Sequence, residues 1–151
     1  MLRERLKESL KEHMLAKNQH AVSTVRLILA ALKDRDIAGR GKGNVDGLTE
    51  EEIFLMLQTM VKQRHESISM YERGGRPELA QQEADEITII EQFLPTQLDD
   101  GAVETAVAQI IEELKAENLK AMGSVMGALR ERYAGQLNFA KAGAIVKQRL
   151  S

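Results

Sequence analysis

Apolar side chains recur three or four residues apart along almost the whole chain, and this spacing restricts the fold more than any other feature. Leu2, Leu6, Leu10 and Met14 form one such stripe, and a second stripe begins after Asn18. The members of the second stripe are Val22, Val25, Ile28, Leu29 and Leu32. This period is typical of amphipathic helices, and no segment alternates apolar and polar residues as a half-buried strand would. The sequence therefore predicts an all-α fold.

A helix start is marked most clearly at residues 48–53. Thr49 can accept a hydrogen bond from the backbone N–H of Glu52, and the Glu52 side chain can reach back to the N–H of Thr49. Leu48 can pack on Ile53 as a hydrophobic staple. We therefore predict a helix that begins after Thr49 and continues to the Gly-Gly pair at residues 74–75, where glycine favours termination.

Glycine and proline mark the other helix ends in the first two thirds of the chain. The second helix is predicted to stop before Gly39. Residues 39–47 hold four glycines and no apolar period, so they are predicted to form a mobile loop. Pro77 suits the first position of the next helix, and Pro95 ends that helix.

The best candidate for a domain boundary is the Pro-Thr-Gln-Leu-Asp-Asp-Gly segment at residues 95–101. Beyond it, three shorter apolar stripes predict three helices, and Asn138 is a suitable N-cap for the last. The sequence therefore predicts two helical subdomains. They are an N-terminal helical part, residues 1–96, and a small C-terminal three-helix tail, residues 97–151.

Cysteine is absent from all 151 residues, which excludes disulfide bonds and thiolate metal sites. Because disulfides are rare in cytosolic proteins, we expect a cytoplasmic protein. The N-terminus is charged from the start and holds no apolar core of signal-peptide length. Nowhere do about eighteen apolar residues run together, so neither a membrane span nor a membrane partner is expected.

The formal net charge of −2 hides a strong pattern along the chain. Residues 1–45 carry ten Lys+Arg against five Asp+Glu, and residues 46–96 carry four against eleven. Residues 97–117 carry one against six, and residues 118–151 carry six against one. One interpretation is that charged helix faces pair with each other. The other is a basic surface for a polyanion, because phosphate contacts supply most sequence-independent affinity for nucleic acids.

No arrangement of residues predicts catalysis. The glycine-rich loop has Asn44 where a G-x-G-x-x-G motif needs its third glycine, and the loop follows a helix instead of a strand. Ser69 follows His65 by four residues, but no orienting acid or oxyanion hole accompanies the pair. The three histidines are scattered, and the carboxylates of residues 78–91 are interpreted as a solvated face. We therefore predict no catalytic residue, no metal ligand and no cofactor.

Three segments of the chain resemble the GatB/YqeY family. The family's N-terminal helical segment is similar to TVRLILAALKDRDIA, residues 24–38. Its central signature, the most specific part, is similar to KQRHESISMYERGGRPELAQQEADEITIIEQFLPTQL, residues 62–98. Its C-terminal tail is similar to MGSVMGALRERYAGQLNFAKAGAIVKQRL, residues 122–150. Because the chain starts at Met1, the likeness is to a stand-alone YqeY-like protein, and it implies an all-α fold with two helical subdomains.

The resemblance implies a function in tRNA binding. In the GatB subunit of glutamine-dependent aspartyl/glutamyl-tRNA amidotransferase, the equivalent tail helps to grip tRNA, and the catalytic part lies in another domain. This chain has no room for that domain. We therefore expect a non-catalytic accessory module whose partners are tRNA and an amidotransferase or aminoacyl-tRNA-related protein.

Two alternatives stay open at this point. One is a protein-interaction module that docks through the acidic residues 78–91 or through the tail. The other is an amidotransferase subunit that acts with partners, which would associate the chain with carbon–nitrogen ligase activity using glutamine as amido-nitrogen donor. Enzymatic activity is therefore left undecided, although the isolated chain is expected to consume neither glutamine nor ATP.

The candidate tRNA-binding residues lie in the tail. Gly123 and Gly127 stand four residues apart and would open a side-chain-free strip on one helix. The strip would admit a neighbouring helix, which is the favoured occupant, or a nucleic acid. Arg130 falls near this strip, whereas Arg132 falls on a different face. The full candidate set is Lys120, Gly123, Gly127, Arg130, Arg132, Lys141, Lys147 and Arg149.

Overall fold

The computed structural model describes residues 1–151 and confirms the all-α prediction. It contains seven α-helices, one short 3-10 helix and no strand. None of the helices is both long and apolar enough to cross a membrane. The helices are α1 (Leu2–Leu15), α2 (Gln19–Gly41), α3 (Glu50–Arg73), α4 (Pro77–Glu91), α5 (Asp100–Leu114), the 3-10 helix (Leu119–Ala121), α6 (Met122–Arg132) and α7 (Phe139–Leu150).

The chain forms two compact units, Met1–Pro95 and Thr96–Ser151. Each unit has its own hydrophobic core. The assignment of residues 1–96 and 97–151 as two helical subdomains stays a prediction.

The core of the N-terminal unit is built from the predicted apolar stripes. In α1 the stripe is buried at Leu2 and Leu6 but reaches solvent at Met14, which is 51% exposed. The apolar stripe of α1 therefore continues beyond the part of the helix that packs in the core. The remaining helices contribute the buried residues Val25, Ile28, Leu32, Ile53, Met56, Leu57, Met60 and Ile90, and Phe93 follows α4.

The start of α3 confirms the predicted capping box. Thr49 Oγ1 accepts a hydrogen bond from the backbone N–H of Glu52 at 3.2 Å. The backbone N–H of Thr49 donates to Glu52 Oε1 at 3.1 Å. Two backbone donors that the helix itself cannot satisfy are thereby paired.

We predict that Thr49→Ala lowers the free energy of unfolding by about 1 kcal/mol, because the N-cap acceptor is lost. Chemical denaturation of the wild-type and variant proteins measures this difference. Thr59→Ala is a matched control, because Thr59 lies exposed in the interior of α3 and its hydroxyl bonds only to the carbonyl of Leu55. Equal stability of the Thr49 variant and the wild type would show that the cap does not stabilise α3.

The predicted end of α2 before Gly39 is wrong. The helix continues to Gly41, and the chain then turns with the N–H groups of Lys42 and Asn44 donating to Gly39 O at 3.0 and 2.9 Å. The Asn44 side chain donates to Gly47 O at 3.2 Å. Glycine lowers helix propensity by about 1 kcal/mol without forbidding a helix, so two glycines near a helix end did not fix its boundary.

Arg3, Asp36 and Leu48 form a polar junction that joins α1, α2 and the segment before α3. Arg3 binds Asp36 through two parallel bonds, Nη1 to Oδ2 at 2.8 Å and Nη2 to Oδ1 at 2.9 Å. Arg3 Nη2 also donates to Leu48 O at 3.0 Å, and Leu48 N donates to Asp36 Oδ1 at 2.9 Å. A Cβ at Gly47 would stand 2.8 Å from Arg3 Nη2 and from Asp36 Oδ1. Gly47, with φ +83°, is therefore required beside the junction both by space and by backbone conformation.

The pH dependence of stability should reveal this junction. The hydrogen bonds from Arg3 lower the pKa of Asp36 from 3.8 to about 2. A carboxyl whose pKa is lowered by folding stabilises the protein above its unfolded pKa and loses that contribution as the pH falls through its folded pKa. We expect the free energy of unfolding to fall by about 2 kcal/mol between pH 4 and pH 2 through Asp36.

Asp36→Asn should abolish this part of the pH dependence and lower stability at pH 7. Asp34→Asn is the matched control, because Asp34 is exposed on the same helix and has no ion pair within 4.0 Å. Denaturation curves measured from pH 2 to pH 7 compare the three proteins. The junction is not stabilising if the two variants have the same pH profile.

The acidic residues of α4 are not all solvated, which corrects the interpretation of residues 78–91. Arg64 on α3 binds Glu86 at 3.0 Å and lies 4.0 Å from Glu83, and all three side chains are at most 22% exposed. Burial is the main cause of a raised pKa at Glu83, and the neighbouring Glu86 charge adds to it. These charges fix α4 against α3. The helix restart at Pro77 is confirmed, since Pro77 is the first residue of α4.

The C-terminal unit packs α5, α6 and α7 around a core that includes Val107, Ile110, Leu129 and Val146. The Asn138 side chain caps α7 as predicted, accepting from the N–H groups of Ala140 and Lys141 at 3.1 and 3.2 Å. Leu98 N donates to Gln136 O at 2.8 Å and Gln97 donates to Gly135 O, so the segment before α5 is held by the turn before α7.

Candidate nucleic-acid interface

Charges in the C-terminal unit are sorted by helix. Acidic residues are concentrated on α5 and in the segment after it, whereas α6, α7 and the 3-10 helix carry all the cations of the unit except Lys115. Glu131 is the one acidic residue among residues 118–151. This arrangement allows some cations to pair with α5 and leaves others free, so the pairing decides which surface is positive.

Two of the candidate cations pair with α5. Arg132 Nη2 binds Glu113 Oε2 at 2.5 Å, and Lys141 Nζ lies 3.6 Å from Asp100 Oδ1. The bond from Arg132 lowers the pKa of Glu113 and raises that of Arg132. Both pairs are at the surface and contribute little to stability. Their charges are nevertheless compensated, so these two cations attract a polyanion less than free cations do.

The remaining cations have no carboxylate partner. Lys120, Arg130, Lys147 and Arg149 are exposed, and none of them has an acidic side chain within 4.0 Å. The Arg130 guanidinium lies over the Phe139 ring, 5.8 Å from its centroid. A cation at this distance from a ring face is attracted by it, which holds Arg130 beside the start of α7.

Helix packing brings five of the eight candidate residues to one side of the unit. A Cβ at Gly143 on α7 would lie 3.8 Å from the Met126 methyl on α6, so these two residues mark the contact between the helices. Lys147 follows Gly143 by four residues and therefore lies on the same face one turn later. The 3-10 helix that carries Lys120 contacts both α6 and α7. We call this surface the open edge and define it by Lys120, Gly123, Gly127, Arg130 and Lys147.

Arg132, Lys141 and Arg149 do not belong to the open edge. The first two turn towards α5 through their ion pairs. Arg149 follows Lys147 by two residues, which places it on a different face of α7.

The expectation that a neighbouring helix packs on the glycine strip is wrong within this chain. A Cβ added at Gly123 or at Gly127 would meet no atom within 4 Å, and both residues are exposed. The glycine that lies in the α6–α7 contact is Gly143, which sequence reasoning missed. The i, i+4 spacing of the first two glycines showed that they share a face but not whether that face is covered.

Sequence reasoning also missed the small residues that α7 adds near the open edge. Ala140 and Ala144 are exposed and one helical turn apart. They lie on α7 just beyond the flank that Gly143 turns to α6. The spacing of two alanines four residues apart in α7 is visible in the sequence. Its meaning became clear only from the structure, where Gly143 marks the flank of α7 that faces α6.

The residues weighed for catalysis do not come together. The Ser69 hydroxyl accepts a hydrogen bond from Arg73 at 3.2 Å, and no bond joins it to His65. No group of three or more His, Cys, Asp or Glu side chains could hold a metal ion. The glycine-rich segment of residues 39–47 bonds to itself and to the end of α2.

Comparison with known proteins identifies the family. The family described as Yqey-like protein matches residues 3–150, which is nearly the whole chain. The chain belongs to the YqeY-like family. This result confirms the family resemblance that the three sequence segments indicated.

Curated relatives of this YqeY-like chain are the proteins named "Altered inheritance of mitochondria protein 41, mitochondrial" from several yeasts. The protein from Kluyveromyces lactis is 32% identical over 113 residues, covering 73% of this chain and 58% of the relative. That from Lachancea thermotolerans is 30% identical, covering 75% and 59%. That from Clavispora lusitaniae is 33% identical, covering 75% and 64%. The YqeY-like chain thus spans about six tenths of the length of these relatives.

The expected cytoplasmic location is contradicted by these relatives, whose names place them in mitochondria. The expectation rested on the absence of cysteine. The absence of cysteine excludes disulfide bonds but does not identify a compartment, so it could not distinguish the cytoplasm from a mitochondrion.

We predict that Gly127→Leu leaves the YqeY-like fold intact and raises the free energy of unfolding. The new side chain would enter open space, and replacing glycine in a helix interior adds up to about 1 kcal/mol of stability. Gly143→Leu is the contrasting variant, because its side chain would meet Met126 and Met122. Chemical denaturation of both variants tests the assignment, and a Gly127 variant less stable than the wild type would contradict it.

Proposed function

We propose that this protein binds tRNA without catalysing a reaction on it, and that the open edge of its C-terminal unit is the contact surface. The single observation that carries the proposal is the set of cations without carboxylate partners beside an uncovered glycine strip. The resemblance to the tail of the amidotransferase GatB subunit selects tRNA among polyanions.

The charges of the open edge suit a phosphate backbone. Lys120 lies in the 3-10 helix just before α6, Arg130 lies near the C-terminal end of α6, and Lys147 lies on the adjoining flank of α7. At 1.5 Å per residue, α6 separates its two ends by roughly 15 Å. The cations can therefore contact several phosphates of one strand, and each contact releases counterions.

The shape of the open edge suits close approach. Gly123 and Gly127 expose helix backbone with no side chain above it, and Ala140 and Ala144 add only methyl groups nearby. A sugar-phosphate backbone can lie on such a surface without displacing long side chains. The Arg130 guanidinium, held over Phe139, has five donors for phosphate oxygens.

The protein-docking alternative has less support. Of the acidic residues on α4, Glu83 and Glu86 are engaged by Arg64 inside the N-terminal unit. Two tail cations, Arg132 and Lys141, are likewise engaged, by acidic residues of α5 within the C-terminal unit. An amidotransferase subunit or an aminoacyl-tRNA-related protein remains the proposed partner by resemblance, with this chain supplying tRNA contacts and no catalytic group.

We predict that two matched double variants separate this function from general charge attraction. Arg130→Gln with Lys147→Gln removes two free cations of the open edge, whereas Arg132→Gln with Lys141→Gln removes two cations paired with α5. Both double variants change the net charge equally on the same two helices. Fluorescence anisotropy with labelled tRNA, measured between about 50 and 200 mM salt, gives the affinity and its salt slope.

The open-edge double variant should reduce the slope of log affinity against log salt by about 1 to 2, because two phosphate contacts are lost. The control double variant should leave the slope nearly unchanged. Gly127→Leu should weaken tRNA binding while the protein stays folded. If both double variants lose the same affinity for tRNA, the open edge is not the binding site. The absence of tRNA binding at low salt would refute the proposed function.

A further inference from the structure

A pocket of about 240 Å³ lies between α1 and α2 in the N-terminal unit. Pockets that enclose drug-sized ligands are about 300 to 1,000 Å³. This pocket is smaller, so it suits a short molecule or one end of a longer one. None of the functions considered above uses it.

One wall of the pocket is apolar. It consists of Leu29, Leu32 and Ile37, which we call the apolar floor. Leu32 is buried and anchors this floor in the core, whereas Ile37 is 53% exposed beside it. When a ligand covers an apolar side chain that is this exposed, apolar surface is removed from water, which favours binding.

The other lining groups are charged. Lys7, Lys33 and Arg40, which we call the cationic rim, line the pocket together with Arg3 and Asp36. Asp36 is the one carboxylate in this lining, and the Arg3 fork and the Leu48 N–H occupy both of its oxygens. No acidic side chain lies within 4.0 Å of any member of the cationic rim. The pocket therefore has three cations without an ion-pair partner, and Asp36 acts on Arg40 and Glu4 on Lys7 only at longer range.

We propose that this pocket binds a small anionic amphiphile. Its carboxylate or phosphate group contacts the cationic rim, and its apolar part covers the apolar floor. The rim supplies charge-assisted hydrogen bonds, which are roughly twice as strong as neutral ones. The floor excludes water from one side of the ligand, and the combination selects amphiphiles over plain anions and over neutral hydrocarbons. The lining of this pocket shares no residue with the open edge.

Isothermal titration calorimetry of the full chain with four probes tests the proposal. Octyl phosphate and octanoate carry both features, octanol lacks the charge, and inorganic phosphate lacks the apolar part. Octyl phosphate or octanoate should bind, and the tighter of the two identifies the head group that the rim prefers. The two probes that lack one feature should bind far more weakly.

Matched variants locate the site. Lys33→Gln should weaken binding of the better amphiphile roughly tenfold, since one charged contact is lost. Arg35→Gln, at an exposed neighbouring position on α2 that does not line the pocket, should leave binding unchanged. Ile37→Ser should bring the affinity for the amphiphile towards that for inorganic phosphate. All three positions are exposed, and circular dichroism verifies that the variants fold.

Three results would overturn the proposal. The first is that neither amphiphile binds. The second is that octanol or inorganic phosphate binds as tightly as the amphiphiles, because one of the two pocket features would then have no role. The third is that Lys33→Gln and Arg35→Gln weaken binding equally, because the effect would then come from net charge instead of from the pocket.

Discussion

The Asp36 carboxylate joins three segments of the N-terminal unit that are far apart in sequence. It takes two bonds from Arg3 on α1 and one from the backbone of Leu48, and it is itself part of α2. The start of α3 is thereby set against the α1–α2 pair, and Gly47 must leave room for the junction. Because Arg3 and the Leu48 N–H take both carboxylate oxygens, Asp36 forms no ion pair with the other cations that line the nearby pocket. One ion pair thus fixes the fold locally and leaves a positive cavity beside it.

In the C-terminal unit, too, ion pairs determine which cations stay without a carboxylate partner. Glu113 and Asp100 on α5 engage Arg132 and Lys141, so these two cations are compensated on the side of the unit next to α5. The cations of the open edge have no such partners. The open edge is therefore positive because no acidic side chain pairs with its cations. The net charge of the whole C-terminal unit does not reveal this, since its acidic and basic residues balance. A surface of this kind favours association with a polyanion through many weak contacts.

Local features of the fold could be predicted from sequence because the interacting groups are neighbours along the chain. The Thr49–Glu52 box and the Asn138 cap span only two or three residues, and both are present in the structure. The Arg3–Asp36 fork spans 33 residues, and no periodicity or motif indicates a partner at that distance. The end of α2 was misplaced because glycine weakens a helix without ending it.

The candidate site was predicted in its residue types but not in its arrangement. Sequence placed Lys120, Arg130, Arg132 and Lys147 in one basic tail, and only packing separates the free cations from Arg132, which binds Glu113. The glycines show the same limit. Two glycines four residues apart predict a shared face, but whether a helix covers that face depends on contacts between helices.

The most direct test of the central claim is a residue-resolved map of the tRNA contact. Amide nitrogen–proton spectra of the labelled protein, recorded during titration with unlabelled tRNA, report which backbone groups change environment. The account predicts that the amides of Gly123 and Gly127, together with those around Lys147, shift or broaden first. Changes confined to α5, or no change in the C-terminal unit while tRNA is bound, would contradict it.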